Sequence, residues 1–290
     1  MRHAVILTTA LAMVAGLLQP AVAAEVPTFL WRVTSDTATV YLVGSIHAMR
    51  ENSYPLPAAM ETAYDNVDKL VFEVNLDELQ AAALKMLEAG SLPDDQTLES
   101  VAGPEVWAEF SAHLSQRGMN PESFQGFKPW MAALNLTVFE MMAAGYLPTK
   151  GLDSYFSMRA AQDGKERMPL ETIELQVGLF ADLSDEQSLA FLQYTLQDLE
   201  TMIPKLDDLS EQWRTGQIEP VEELLLEGFE EFPELFKEMV TDRNQAWMMP
   251  IEMLLAGESR VLVVVGALHL VGEQGLINQL RASGYTVEQL

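Results

Sequence analysis

Two Gly-x-x-His tetrads are the residues whose types and spacing point most directly to chemistry. Gly44-Ser45-Ile46-His47 lies near the start of the chain, and Gly266-Ala267-Leu268-His269 lies near its end. Each tetrad closes a short run rich in β-branched residues, 39–43 or 261–265, that predicts a buried strand. The glycine that opens each tetrad lets the chain turn sharply as it leaves the strand. We therefore expect both imidazoles at the carboxyl ends of strands, where α/β sheets usually keep their active sites.

Two carboxylates occupy comparable places in other predicted strands. Glu73 stands in the run 70–74, where burying an unpaired carboxylate is strongly unfavourable, so it must be paired, liganded or placed at the strand end. Glu171 ends a predicted strand at 167–171 and either belongs to the site or forms a structural salt bridge with Arg243. If these strands meet at one edge of a sheet, the imidazoles and carboxylates form a mixed nitrogen and oxygen set that suits Zn, Mn, Co or Fe(II) and leaves room for water.

The candidate ligands of such an ion are His47 and His269 together with a carboxylate, Glu73 or Glu171. Taken singly, each histidine could instead be a core residue that caps the end of its strand. The repetition of the tetrad favours use as a ligand or a catalytic group, because His is the commonest metal ligand at neutral pH. Glu73 could also act as the general base, and Glu171 as a proton shuttle.

Further polar residues have both a functional and a structural interpretation. Arg243 suits an oxyanion or a substrate carboxylate, but together with Asn244 it could simply hold a helix against the sheet. Asp153 either supports the site or caps a helix that starts near Ser154. His113, in a predicted helix, is expected to be exposed.

The amino-terminal segment 1–24 has the pattern of a cleavable signal peptide. It has a basic start at 1–3, an apolar core at 4–18, and small residues at 21–24. The apolar core falls short of the roughly 20 residues that a membrane-spanning helix needs. We therefore expect a periplasmic or secreted protein without a stable membrane anchor. The chain contains no Cys, which excludes a disulfide framework and a thiolate metal site.

The charge balance limits the possible partners. The chain has 43 acidic and 17 basic residues, which gives a formal net charge of -26. Such a surface repels phosphate backbones and anionic membranes, so nucleic acid is not an expected partner. Solubility explains most of this acidity. The charge balance leaves open a peptide or another small molecule as substrate, and it leaves the oligomeric state open as well.

Strand-like runs cluster towards both ends of the chain, and the middle has the pattern of helices. We predict an α/β (α+β) fold with a mixed central β-sheet built from two halves. The first half presents a His and then a Glu at strand ends, and the second half presents a Glu and then a His. A helical region at about 77–257, interrupted by a strand near 167–171, would cover this sheet. No linker-like segment marks a boundary, so a single domain is expected over 25–290. Pro204 and Pro250 should kink or break the longer helices.

The ordered set of motifs resembles the TraB/GumN family, which is related to the Tiki metalloproteases and more distantly to ChaN-like and erythromycin-esterase-like proteins. The matching segments are Trp31, 41–47, 71–74, 128–130, 151–153, 170–176, 243–244 and 266–272. The resemblance implies an α/β fold in which paired Gly-x-x-His motifs and a Glu share one site. For the Tiki branch it also implies metal-dependent cleavage of peptides.

These expectations combine into an exported metal-dependent hydrolase that acts on peptides through a metal-activated water. One alternative is a protein that binds a metal or haem without catalysis, although the chain has no Cys-x-x-Cys-His motif. Another is a metal-independent esterase that uses His and Glu. A serine hydrolase built on Ser45 is disfavoured, because its tetrad lacks the second glycine of a nucleophile elbow.

Overall fold

A six-stranded mixed β-sheet lies at the centre of the fold. The computed structural model describes residues 27–229 and 232–290, so the predicted signal segment 1–24 lies outside the described residues. The strands, in chain order, are β1 (Leu30–Thr34), β2 (Thr39–Ser45), β3 (Lys69–Phe72), β4 (Glu166–Pro169), β5 (Val261–Gly266) and β6 (Thr286–Gln289). Their order across the sheet is β4-β3-β5-β2-β1-β6. The predicted α/β class with a mixed sheet is confirmed.

The four strands that precede the predicted site residues in the sequence run parallel to one another. β5 lies between β3 and β2 and is parallel to both, and β4 is parallel to β3. Every residue of β5 is buried, as expected for an apolar run inside a sheet covered on both faces. The parallel arrangement brings the carboxyl ends of β2, β3 and β5 to one edge. β1 is antiparallel to β2, and β6 is antiparallel to β1, so these two strands extend the sheet beyond β2.

Helices supply most of the remaining described structure. They are α1 (Ala58–Asp65), α2 (Leu79–Gly90), α3 (Leu98–Ala102), α4 (Pro104–Gln116), α5 (Pro129–Ala143), α6 (Leu152–Asp163), α7 (Ile173–Ala181), α8 (Asp185–Arg214), α9 (Ile218–Glu227), α10 (Pro233–Phe236), α11 (Asp242–Leu255) and α12 (Leu276–Ala282). A short π-helical segment, Lys237–Thr241, leads into α11. The helices α3, α4, α5 and α8 enclose a second apolar cluster of their own, away from the sheet.

Two local expectations differ from the structure, the first of them in part. Pro204 and Pro250 do not break their helices, because α8 and α11 continue through these residues. A kink at either proline stays a prediction. Packing of the apolar faces holds each helix together despite the backbone hydrogen bond that proline removes. The strand expected at 167–171 ends at Pro169, so Glu171 lies in the connection to α7 rather than in β4. Within the described part of the chain, no helix is long and apolar enough to cross a membrane.

Candidate functional site

His47 lies in the loop that follows β2, beside the amino terminus of α6. The two segments are joined where the backbone N–H of Leu152 donates to the carbonyl of Ile46 at 3.1 Å. Gly151 makes this approach possible, because a Cβ there would lie 2.6 Å from the carbonyl carbon of His47. The loop and the helix together bring His47 Nδ1 within 3.0 Å of Asp153 Oδ1.

The Asp153 carboxylate fixes the proton on the imidazole of His47. A carboxylate only accepts hydrogen bonds, so Nδ1 must donate and Nε2 is left to face the site. The negative charge of Asp153 and its hydrogen bond to Nδ1 raise the pKa of His47 to about 9. His47 is therefore an imidazolium at neutral pH when no cation competes for it, and its side chain is 66% exposed.

His269 is the last residue of the short turn after β5, and Asn244 on α11 hydrogen-bonds to both its backbone and its ring. Asn244 Nδ2 donates to the carbonyls of His269 and Gln274, at 3.2 and 2.9 Å. These contacts fix the amide orientation, so Oδ1 is the acceptor for His269 Nδ1 at 2.7 Å. Nε2 consequently carries no proton. Burial is the main reason that the pKa of His269 falls to about 3, so this imidazole is neutral.

Glu73 follows β3 directly and lies between the two histidines. Its Oε1 accepts the backbone N–H of Gly266 at 2.7 Å, and its Oε2 accepts from Arg243 Nη2 at 2.6 Å. Burial alone would raise the pKa of Glu73, but the nearby positive groups and the Gly266 N–H outweigh it and lower this pKa to about 2. Glu73 is thus an ionised carboxylate in a buried position, as its neighbours require.

The backbone of Gly266 marks the point around which these side chains gather. An ideal Cβ on this glycine would lie 3.3 Å from Glu73 Oε1, 3.5 Å from His47 Nε2 and 3.5 Å from His269 Cδ2. Glycine leaves that space open. At the matching place in β2, a Cβ on Gly44 would lie 2.5 Å from the Phe29 ring, so this glycine is required by packing.

Arg243, in the first turn of α11, joins the carboxylates to His269. Nη2 donates to Glu73 and Glu171, both at 2.6 Å, and Nε donates to Glu171 at 3.1 Å. Nη1 donates to the carbonyl of Met239 at 2.9 Å and lies 3.0 Å from His269 Nε2. All five N–H groups of the guanidinium therefore have partners in the protein.

Glu171 is the most enclosed carboxylate of this network. Its side chain is 4% exposed. Oε2 accepts the indole N–H of Trp247 at 3.1 Å, and Oε1 accepts from Gln176 Nε2 at 3.0 Å in addition to Arg243. The salt bridge to Arg243, which the sequence left as an alternative to a role in catalysis, is present.

A cavity of about 280 Å³ opens beside His47 and Glu73. Asp153, Ser154 and Gln176 complete its polar wall. Its remaining lining residues are apolar and are Phe72, Val74, Leu76, Leu79 and Pro148. Neither His269 nor Arg243 is among the lining residues, so a molecule in the cavity would meet His47 and Glu73 first.

Comparison with known proteins assigns the family. Residues 29–289 match the TraB/PrgY/gumN family. This chain belongs to the TraB/PrgY/gumN family. It is similar to the uncharacterized protein YbaP of Escherichia coli (strain K12), with 28% identity over 242 residues, which are 83% of this chain and 87% of that protein. The uncharacterized protein YbaP of Shigella flexneri matches with the same identity and coverage.

The donor chemistry of this TraB/PrgY/gumN site suits a divalent cation. Each histidine donates its Nδ1 proton to an oxygen, the arrangement that orients metal-binding imidazoles and leaves Nε2 to bind the ion. His269 Nε2 lies 4.0 Å from Glu73 Oε1. Ligands of one ion lie roughly 3 to 4 Å apart when metal–ligand bonds are about 2.1 Å.

The position of Arg243 limits this fit. Its Nη1 contacts His269 Nε2, the nitrogen through which His269 would bind the cation. Over the described residues, no three His, Asp or Glu side chains converge closely enough to hold an ion. For His269 to act as a ligand, Nε2 has to exchange the Arg243 N–H for the cation.

Two residues of the network had no predicted role. Gln176 lies in the segment 170–176, which carried the family resemblance, and its Nε2 bridges Glu171 and Glu73 Oε2, the latter at 3.1 Å. Trp247 lies one turn after Arg243 on α11, and its ring centroid is 4.4 Å from that of His269. The spacing of four residues between Arg243 and Trp247 was the available signal.

The prediction that His113 is exposed is wrong. Its Nε2 lies 2.8 Å from Glu140 Oε1, and Arg117 donates to the other oxygen of Glu140 at 2.6 Å. Glu140 is buried in α5 and needs these partners, which a pattern confined to α4 does not reveal.

Proposed function

We propose that this member of the TraB/PrgY/gumN family is a metal-dependent hydrolase that cleaves peptides, with His47, Glu73 and His269 as the metal ligands. One observation carries the proposal. Two imidazoles from separate strands each have Nδ1 fixed by an oxygen acceptor, and both lie around the open space at Gly266, beside an ionised Glu73. Core histidines that merely cap strands have no need of this shared arrangement.

Each residue has a distinct part in this proposal. A divalent cation supplies Lewis-acid chemistry, since it lowers the pKa of water to near neutrality and polarises a carbonyl. Asp153 and Asn244 hold the imidazoles in the tautomer that binds a cation. The N–H of Gly266 and the guanidinium of Arg243 keep Glu73 ionised, so Glu73 can also accept a proton from water at the edge of the cavity.

The contacts of Arg243 and Glu171 limit the catalytic roles predicted for these two residues. An oxyanion role for Arg243 requires the release of one N–H group, because all of them are engaged. A proton shuttle at Glu171 would have to work from a carboxylate that is closed off from the cavity. Glu73 lines the cavity, and we therefore assign proton transfer to Glu73.

The proposal includes the compartment. The pattern of segment 1–24 supports cleavage on export and action in the periplasm or outside the cell.

The test is a cleavage assay with metal-free protein to which Mn, Co or Zn is added. A peptide library is scored by mass spectrometry for the wild type, His47→Ala and His269→Ala. His113→Gln is the matched control, because this histidine pairs with Glu140 outside the site. We expect cleavage to require the added ion and to fall by about 10²–10⁴-fold in both site variants but not in the control. Cleavage that chelators leave unchanged would refute the metal dependence.

A metal-independent esterase is the second candidate, and the contact between Arg243 and His269 favours it. If that contact persists, His47 and Asp153 form a dyad beside Glu73. His47 is protonated at neutral pH and would donate a proton to a leaving group while Glu73 accepts one from water. This candidate predicts chelator-resistant cleavage of esters that is lost in Asp153→Asn and retained in His269→Gln. Metal or haem binding without cleavage of any peptide or ester would instead identify a binding protein.

A further inference from the structure

The residues that line the cavity beside the proposed site are of two kinds. His47, Glu73 and Asp153 are polar or charged, and the residues from the end of β3 to the start of α2 are apolar and are called the apolar wall here. Glu73 is flanked in sequence by Phe72 and Val74, which both belong to the apolar wall. A molecule whose reacting bond lies at Glu73 therefore has its neighbouring group against the apolar wall.

We infer that this apolar wall is a substrate subsite for one bulky, uncharged side chain next to the cleaved bond. The inference rests on the proposed peptide hydrolysis and specifies its substrate class. A volume of about 280 Å³ accommodates one large aliphatic or aromatic side chain with its peptide group. It lies at the lower end of the range for ligand sites, so the cavity does not enclose a long peptide.

The apolar lining disfavours an acidic side chain in this subsite. Phe72, Val74, Leu76, Leu79 and Pro148 have no side-chain hydrogen-bond donor. A carboxylate placed against them would lose its hydration without a partner to replace it. An apolar side chain gains from leaving water, and a difference of one methylene group in such a pocket changes kcat/KM by about 10-fold or more.

Leu79 is the residue through which the subsite can be altered with least damage to the fold. It is the first residue of α2, lines the cavity, and is 49% exposed. Leu84, further along the same helix, is 65% exposed and is not a lining residue. The two leucines form a matched pair in which only one contacts the proposed subsite.

The first experiment compares peptides that differ only at the residue next to the cleaved bond. With metal-loaded wild type, we expect kcat/KM for Leu or Phe to exceed that for Ala by about tenfold or more, and the Glu peptide to be the poorest. Leu79→Ser should reduce the Leu-to-Ala ratio several-fold, whereas Leu84→Ser should leave the ratio unchanged. Cleavage without preference between Leu, Ala and Glu would overturn the subsite and leave the hydrolase standing.

A binding experiment separates the subsite from the hydrolase. N-acetyl-leucinamide, N-acetyl-alaninamide and N-acetyl-glutamic acid amide are titrated into metal-free wild type and Leu79→Ser, and backbone amide shifts are followed by NMR. If no peptide is cleaved, tighter binding of the leucine compound that Leu79→Ser weakens supports the subsite and counts against the hydrolase. Binding that does not distinguish leucine from alanine in the wild type would overturn the subsite.

Discussion

The two histidines of the site differ in charge although their sequence contexts are alike. Asp153 gives His47 an ionised partner in an open loop, and Asn244 gives His269 a neutral partner in a buried turn. The first pKa rises and the second falls for these reasons. At neutral pH, one imidazole is therefore positively charged and the other is ready to donate a lone pair.

The role of Asp153 can be tested by titrating His47 in metal-free protein. We expect an NMR pKa of about 9 in the wild type and a value close to the ordinary 6.5 in Asp153→Asn. Because the pKa is raised in the folded state, the stabilisation from this pair is fully present below about pH 6.5 and is lost as the pH rises through about 9. A wild-type value near 6.5 would contradict the contact with Asp153.

Loss of Arg243 should strongly lower the free energy of unfolding. Arg243→Met leaves Glu73 and Glu171 buried without their common counterion, which costs about 3–5 kcal/mol when a buried pair is broken from one side. The control is Lys85→Met, which removes an exposed ion pair with Glu174 and should cost about 0–1 kcal/mol. Urea denaturation at pH 7 measures both. Equal costs for the two variants would show that the guanidinium is not buried among these carboxylates.

Residue types and order predicted which side chains come together better than they predicted individual contacts. The tetrads and Glu73 follow apolar strand-like runs in the sequence, and the structure brings their side chains close to Gly266. The network of Arg243 could not be predicted in the same way. The salt bridge between Arg243 and Glu171 was one of the predicted alternatives, but the contacts of Arg243 with Glu73 and His269 depend on which donors remain free after α11 is packed.

At the scale of elements, the site is built where strand ends meet helix starts. β2, β3 and β5 bring three backbone ends to one edge of the sheet, and the first turns of α6 and α11 supply Asp153, Arg243 and Asn244. The π-helical segment before α11 places the carbonyl of Met239 against Arg243. Such segments often occur at functional sites because they shift the phase of the helix that follows.

A substitution at Gly151 tests whether the contact between α6 and the loop after β2 positions His47. In Gly151→Ala, the new methyl group would meet the carbonyl carbon of His47 at 2.6 Å, so backbone has to move. We expect a loss of about 1–3 kcal/mol in the free energy of unfolding and a lowered pKa of His47 as it separates from Asp153. Gly126→Ala is the control, because nothing lies within 4 Å of its Cβ position. An unchanged pKa of His47 in Gly151→Ala would show that α6 does not position this histidine.

The elements were predictable where a local pattern decides the structure. The valine-rich run 261–265 predicted β5, and Ser184 with Gln187 forms the capping box that begins α8. Pro204 shows the limit of local rules. Its intrinsic effect on a helix is overridden by the packing of residues on both sides, such as Leu196 and Leu209, which are buried.

At the scale of the whole molecule, the two ends of the described chain meet in one sheet. β6 pairs with β1, and the backbone N–H of Leu290 donates to the carbonyl of Leu30 at 2.9 Å. The family match over residues 29–289 ends at these same two strands. The predicted signal segment 1–24 lies before the match.

Export can be tested directly on expressed full-length protein. We expect the form recovered from a periplasmic extract to begin close to Glu25, because small residues at 21–24 offer the cleavage site. Mass spectrometry of the intact protein gives this terminus. The control is a variant with Leu7 and Leu11 both replaced by Arg, which interrupts the apolar core and should remain uncleaved in the cytoplasm. Full-length wild type retained in the membrane would contradict cleavage on export.

The most direct measurement of the central claim is calorimetric titration of metal-free wild type, His47→Ala and His269→Ala with Mn, Co or Zn. If both imidazoles share one ion with Glu73, the wild type should bind one ion per chain. Each variant should bind the ion at least about tenfold more weakly. Replacing a residue that merely supports a ligand already weakens metal binding by about this factor. A wild type that binds no divalent ion, or a His269→Ala protein that binds as tightly as the wild type, would contradict the shared metal site.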